Sequence, residues 1–237
     1  VALYRIRYVT IAVMLAFIAM TAIQTWWILR DPANMALLGS PESLKTYANK
    51  SFVSYYSQDT HAQFMTYVWT NNAWIAIQVV AGGITGFFPA FVLWGNAGAL
   101  AQSAAIVIHF AGPGQFFRFI LPHGIPELTA IWISTAAGLR LFWAWIVPGK
   151  RTRTQALAEA GRSMITVALG MVIMLFFSGL IEGFVTPSDL PTWAKITCGV
   201  VLTALVWIYT FVVGRRAYRA GATGDIEEDA GYSTHVI

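Results

Sequence analysis

SMITVALGMVIMLFFSGLIEGFV, residues 163–185, decides the class of this protein. The run is almost wholly apolar, and its only ionisable residue, Glu182, sits near its far end. A helix needs about 20 such residues to cross the hydrocarbon of a bilayer. The stretch is preceded by Lys150, Arg151, Arg153 and Arg162, and it is followed by Pro187 and Pro191. Basic residues before the run and helix breakers after it are the flanks of a membrane helix.

Working outward, five further apolar runs repeat the pattern, at about 8–29, 70–93, 97–111, 122–147 and 192–214. The expected fold is therefore an all-α polytopic membrane helix bundle of about six transmembrane helices, with both termini cytoplasmic. Residues 1–214 form a single transmembrane domain, and 215–237 are expected to be a mobile cytoplasmic tail. Trp26 and Trp27 end the first run, where indoles favour the headgroup layer. Residues 31–66 read as an outer loop, in which Ser40-Pro41-Glu42 starts a short helix with Ser as cap and Pro at the first helical position. Gly95-Asn96 is expected to reverse the chain between the second and third runs, Gly112-Pro113-Gly114 ends the third, and the aromatic residues 115–121 are expected along the interface.

The whole composition agrees. Of 237 residues, 57% are hydrophobic and 11% charged, whereas a soluble domain carries about 25% charged residues. Mean hydropathy is +0.61. The net charge of +4 does not point to nucleic acid, because the cations sit in short clusters between apolar runs. Such clusters face anionic headgroups, so the lipid bilayer is the expected surrounding. With the amino terminus inside, Arg5, Arg7, the 148–162 loop and Arg215, Arg216 and Arg219 all fall on the cytoplasmic side. Arg30, Lys45, Lys50, Arg118 and Lys195 are left to the outer side, diluted over longer segments. A lone cysteine, Cys198, excludes an intrachain disulfide framework and a Cys-based zinc module. Residues 8–29 are too long and too aromatic at their far end for a signal peptide, and Val1 in place of Met reads as a processed or truncated start.

Ionisable groups inside a span cost a few kcal/mol each, roughly 2.5–3.5 on insertion scales, so each one needs a partner. His123, Glu127 and Glu182 stand out. His123 and Glu127 are four residues apart and share a helix face. The topology places them near the outer start of the fourth run, Glu182 near the outer end of the fifth, and Asn71 and Asn72 near the outer start of the second. All five are expected in one slab in the outer half of the membrane. Pro122 is read in the first turn of its helix, which sets His123 and Glu127 at the positive end of the helix dipole. Three readings stay open: a structural polar network, a divalent metal held by His123, Glu127 and Glu182, and a proton or ion relay. Arg140 is expected to snorkel to the cytoplasmic interface and Arg118 to the outer one. Gly82/Gly86 and Gly179/Gly183 have the small-xxx-small spacing that serves internal packing or homo-oligomer formation equally well.

Three strings carry a resemblance: Thr70-Asn71-Asn72, the stretch Leu121-Pro122-His123-Gly124-Ile125-Pro126-Glu127-Leu128-Thr129-Ala130-Ile131, and Gly179-Leu180-Ile181-Glu182-Gly183-Phe184-Val185-Thr186-Pro187. With Gly95-Asn96-Ala97-Gly98 they make the chain resemble the stage II sporulation protein M family over residues of about 5 to 214. The resemblance implies a multi-pass protein of the bacterial cytoplasmic membrane and the cell envelope. The family's namesake works with stage II sporulation proteins D and P, which remodel peptidoglycan, and resembles a scaffold more than a hydrolase. Relatives in bacteria that form no spores resemble parts of gene neighbourhoods with MoxR-type ATPases, and long members carry a cytoplasmic helical segment before the first span that is not seen here. No catalytic residue follows from the resemblance, and the chain has no GxSxG, HExxH, Walker or GxGxxG signature. The first expectation is a membrane scaffold for other membrane or envelope proteins. The alternatives are a transporter with His123, Glu127 and Glu182 on an ion path, and a metal-dependent membrane enzyme at the same residues.

Overall fold

The structure, a computed structural model, describes residues 1–52 and 60–225. The described residues are helical with no strand. Helix α1 is Ala2–Leu29, and two short helices follow, α2 (Pro32–Ala36) and α3 (Pro41–Thr46), with a π-helical turn at Tyr47–Ser51. Helix α4 is His61–Ala81, α5 is Phe87–Ala111, and α6 is Pro113–Ile146. Helix α7 is Arg153–Leu180 and runs into a π-helical turn at Ile181–Val185. Helix α8 is Thr192–Tyr209, followed by a π-helical turn at Thr210–Gly214 and by α9 (Arg215–Arg219).

Local chemistry sets several of these ends. Ser40 caps α3 by accepting from the Ser43 amide, with Pro41 behind it, as the sequence implies. Thr152 and Gln155 form a reciprocal capping box at the start of α7. Among the described residues four helical runs are long and apolar enough to cross a membrane: Ala2–Leu29, Phe87–Ala111, Arg153–Val185 and Thr192–Arg219. This is the make-up of a membrane protein.

The two remaining long helices, α4 and α6, are more polar, and their position explains how that is tolerated. Helix α6 packs against α1, α4, α5, α7 and α8. It is the central post of the bundle, and its buried residues include Thr129, Ile133, Ser134, Thr135 and Leu141. A helix ringed by others need not be apolar all round, because its neighbours cover it. Helix α8 is the opposite case: Lys195 and Gly199 are its only buried residues.

The structure moves several expected boundaries. The chain reverses at Gly82–Gly86, not at Gly95-Asn96. Gly86 takes φ +73°, a left-handed conformation that glycine adopts without strain. Gly95-Asn96 lies inside α5, where the Asn96 side chain donates to the Val92 carbonyl one turn back. The run read as 70–93 therefore divides between α4 and α5, α4 begins at His61, and the run read as 97–111 is the second half of one long helix. Gly82 and Gly86 bracket the turn instead of pairing along a helix face. The close crossing there belongs to Gly83, which meets the backbone of Gly138 on α6. The aromatic segment 115–121 is the first part of α6 and not a separate interfacial stretch.

The start of the chain, the 148–162 region and the segment up to Asp225 meet at one end of the bundle. Arg5 donates to the Ala222 carbonyl at 3.3 Å. Arg162 makes two 2.7 Å bonds to the Asp225 carboxylate. The segment expected to be mobile from Arg215 is thus docked as far as Asp225, and the acidic residues Glu227, Glu228 and Asp229 lie outside the described residues.

Candidate functional site: an intramembrane cluster of His and Glu

The site forms where two helices are broken by proline. Pro122 and Pro126 both lie inside α6, well past its first turn. Proline has no N–H, so Pro126 gives nothing to the carbonyl of Pro122 one turn back. Gly199 of α8 comes directly against that carbonyl, and any larger residue would overlap it. The next carbonyl along, that of His123, accepts from Ser178 Oγ of α7 at 3.0 Å. The absence of a side chain at Gly199 lets α8 approach the open carbonyl, and Ser178 adds a bond from α7 at the next one.

The second break ends α7. Its π-helical turn closes with the Thr186 amide donating to the Ile181 carbonyl at 2.8 Å, and Pro187 follows. Lys195, one turn into α8, is buried and donates from Nζ to the carbonyls of Thr186 at 2.7 Å and Ser188 at 2.5 Å. An ammonium with three donors suits carbonyls that a broken helix leaves open. Lys195 is therefore a buried structural cation and not one of the dilute outer-loop charges.

Between the breaks stand His123, Glu127 and Glu182. His123 and Glu182 are each 4% exposed, and ligand atoms of the three residues lie within 4.8 Å of one another. Asn72 Nδ2 of α4 donates to Glu127 Oε1 at 3.0 Å. Thr186 Oγ1 donates to the Ile181 carbonyl at 3.2 Å and also lies 3.4 Å from His123 Nδ1. His123 Nε2 lies 3.7 Å from Glu182 Oε1 on the other side of the ring. Glu182 Oε2 is buried and accepts no hydrogen bond among the described residues.

One imidazole and two carboxyl groups thus converge, with no Lys or Arg bonded to the two carboxyl groups among the described residues. Lys195 is turned to backbone carbonyls. Two uncompensated carboxylates this close repel by about 3.5 kcal/mol at an effective dielectric of 20. The cluster is suited to a proton shared between groups or to a divalent cation. Ligands on opposite sides of such an ion are about 4 to 5 Å apart, so a small contraction would close this donor set around one.

A family model described as stage II sporulation protein M matches residues 10–187, three quarters of the chain. The chain belongs to the stage II sporulation protein M family. The matched region holds Asn72, His123, Glu127, Glu182 and Thr186, and the resemblance of the three strings to the family is thereby shown. Helix α8, with Lys195 and Gly199, lies beyond the match. Comparison with curated proteins and with solved structures gives no match.

Within this family member the structure brings together four of the five expected site residues. Asn71 is the exception: it is exposed, and its side chain reaches only Asn72, at 3.5 Å. His123 and Glu127 are also not at a helix start, so the dipole argument does not apply to them. Ser178 and Thr186, which bond at His123 or beside it, and Lys195, which seals the neighbouring helix end, are not among the expected residues. The Thr186-Pro187 break was the available signal, because a helix broken inside a bilayer needs donors for its open carbonyls. Gly179 and Gly183 do serve internal packing. A Cβ on Gly183 would stand 2.8 Å from that of Met65 and 2.9 Å from the His61 carbonyl, so the pair lets α4 close onto α7.

Proposed function

We propose that this stage II sporulation protein M family member is a six-span scaffold of the bacterial cytoplasmic membrane, whose His123–Glu127–Glu182 cluster is a polar brace. The observation that carries the reading is that the cluster's bonds join different helices. Asn72 of α4 reaches Glu127 of α6, Ser178 of α7 reaches His123 of α6, and Lys195 of α8 reaches the end of α7. A network that closes on its own helices rigidifies a fold. In this reading α4 and α6 also cross, shielded by the four apolar runs. Arg5, Arg7, Lys150, Arg151, Arg153 and Arg162 belong to the end of the bundle where the start of α1 meets the segment up to Asp225, and the positive-inside rule turns that end to the cytoplasm. The partners are envelope proteins that remodel peptidoglycan.

The test uses Glu127→Gln and Glu182→Gln, which keep shape and remove charge. Wild-type protein should co-purify with peptidoglycan-remodelling proteins expressed alongside it. Variants that remain folded should do so equally, and proteoliposomes should pass no more protons or divalent ions than empty vesicles. Ion flux abolished by Glu127→Gln at unchanged folding would replace the scaffold by a transporter.

A second reading rests on Glu182 Oε2, which accepts no hydrogen bond among the described residues, and on the convergence of His123, Glu127 and Glu182 ligand atoms within 4.8 Å: the brace closes around a divalent cation. Elemental analysis of purified protein tests it directly. Near-stoichiometric zinc, manganese or another divalent ion that Glu182→Gln lowers would support the reading, and absence of metal after purification without chelators would end it.

A further inference from the structure

At the opposite end of the bundle from the brace, three arginines line one cavity of about 350 Å³ together with Tyr218. Arg5 and Arg7 come from the first two turns of α1, and Arg140 from the last two turns of α6. Two of the three are already steadied. Arg7 donates to the Tyr4 carbonyl at 2.6 Å and lies over the rings of Tyr4 and Tyr8. Arg5 lies 5.7 Å from the Tyr218 ring centroid and donates to the Ala222 carbonyl. Arg140 is half-buried and has no hydrogen bond or ion pair among the described residues.

A half-buried guanidinium that shares a cavity with two others calls for a counter-anion. Among the described residues the nearby acids are shared with other arginines: Glu159 lies near Arg140 but is bonded to Arg151, and Asp225 is bonded to Arg162. Arginine forks match the oxygens of a phosphate, and several forks from different helices form the usual phosphate-binding arrangement. The level is also informative. Arg140 is six residues before the end of α6 at Ile146, roughly 9 Å along the axis. Trp143 and Trp145 between them are exposed, and exposed indoles mark the headgroup layer.

The geometry points to a phosphate-binding site formed by Arg5, Arg7 and Arg140 at the inner membrane interface. The group bound is the phosphate of an anionic phospholipid headgroup or free phosphate from the cytoplasm. The two sources share one chemistry, and the exposed tryptophans at that level favour the lipid. Such a site would seat the ends of α1 and α6 on the same headgroup.

The experiment is native mass spectrometry of the full chain in non-ionic detergent, titrated with phosphatidylglycerol, with phosphatidylcholine and with inorganic phosphate. Wild-type protein is expected to bind phosphatidylglycerol in preference to phosphatidylcholine. Arg140→Gln should raise the Kd for phosphatidylglycerol by about tenfold or more, the loss of one charge-assisted forked contact. Lys150→Gln, which removes an exposed cation outside the cavity, should leave it unchanged. If Arg140→Gln does not fold, Arg7→Gln at the same cavity is read in its place. Displacement of the lipid by millimolar phosphate identifies free phosphate as an accepted ligand, and resistance to displacement identifies the headgroup; either result supports the site. Equal binding by wild type and both arginine variants overturns it, as does an equal loss in Lys150→Gln, which would mean unspecific attraction to charge.

Discussion

Asn71 and Asn72 are neighbours of identical chemistry, and the structure assigns them opposite consequences. Asn72 supplies the 3.0 Å bond that holds Glu127, and Asn71 is exposed with a single 3.5 Å contact to Asn72. Replacing Asn72 by Leu leaves the Glu127 carboxyl without that donor. A bond to a charged group is worth about 1.5–3 kcal/mol in mutational series, and interhelical bonds in membranes average roughly 0.6 with a maximum near 1.7. A loss of about 1–2 kcal/mol follows, a factor of about 5 to 30 in the folding equilibrium. Asn71→Leu should be neutral or slightly stabilising, because a lipid-facing Leu inserts favourably by about 0.3–0.6 kcal/mol. Both are read by SDS titration of the micelle-bound protein, followed by tryptophan fluorescence and far-UV circular dichroism. Combined with Glu127→Gln, Asn72→Leu should be non-additive by about 1 kcal/mol and Asn71→Leu additive. An equal loss from both single variants, or none from Asn72→Leu, refutes the placement of α4 on α6.

Three further outcomes can be measured in the same assay. Lys195→Met strands the carbonyls of Thr186 and Ser188 and should cost about 2–4 kcal/mol, whereas Lys45→Met on the short helix α3 should change little; a stable Lys195→Met would show that the ammonium does not seal the end of α7. Gly199→Ala places a Cβ against the Pro122 carbonyl and should cost about 1–3 kcal/mol, while Gly170→Ala, with open space at its Cβ, should gain up to about 1 kcal/mol. Gly86→Ala must hold a left-handed φ of +73° against the Phe142 ring and should cost about 1–3 kcal/mol, read as a lower unfolding midpoint.

The meeting of His123, Glu127 and Glu182 was legible in the sequence because charge in hydrocarbon must be compensated, and only an encounter between their helices could do that. The membrane character was legible for the same kind of reason, since residues 163–185 admit no other apolar environment of that length. What escaped was set by tertiary neighbours. Hydropathy is a local measure, and α6 is polar by that measure; its tolerance of His123, Glu127 and Arg140 comes from the five helices around it. Gly95-Asn96 has the composition of a turn, but Asn96 bonds back to its own helix. The real reversal at Gly82–Gly86 is enforced by Gly83 lying on Gly138 and Gly86 on Phe142, contacts that sequence spacing does not reveal. Lys195 looked like a loop cation because its two acceptors exist only where α7 unwinds.

Helix α8 lays one face on the bundle, with Val206 packed against the core and Thr203 Oγ1 buried, but the fully buried residues lie toward and just past its ends. Lys195 and Gly199 pin one, and Thr210 and Gly214 pin the other, where Tyr4 lies beside the backbone. Val200, Val201, Leu205 and Ile208 between them face outward. The helix is built like a rung clamped hardest at its tips. Its outward face can exchange one aliphatic residue for another at little cost, so sequence drift, labels or photocrosslinkers are best accommodated there, while a change of one methyl group at Gly199 disturbs the whole rung.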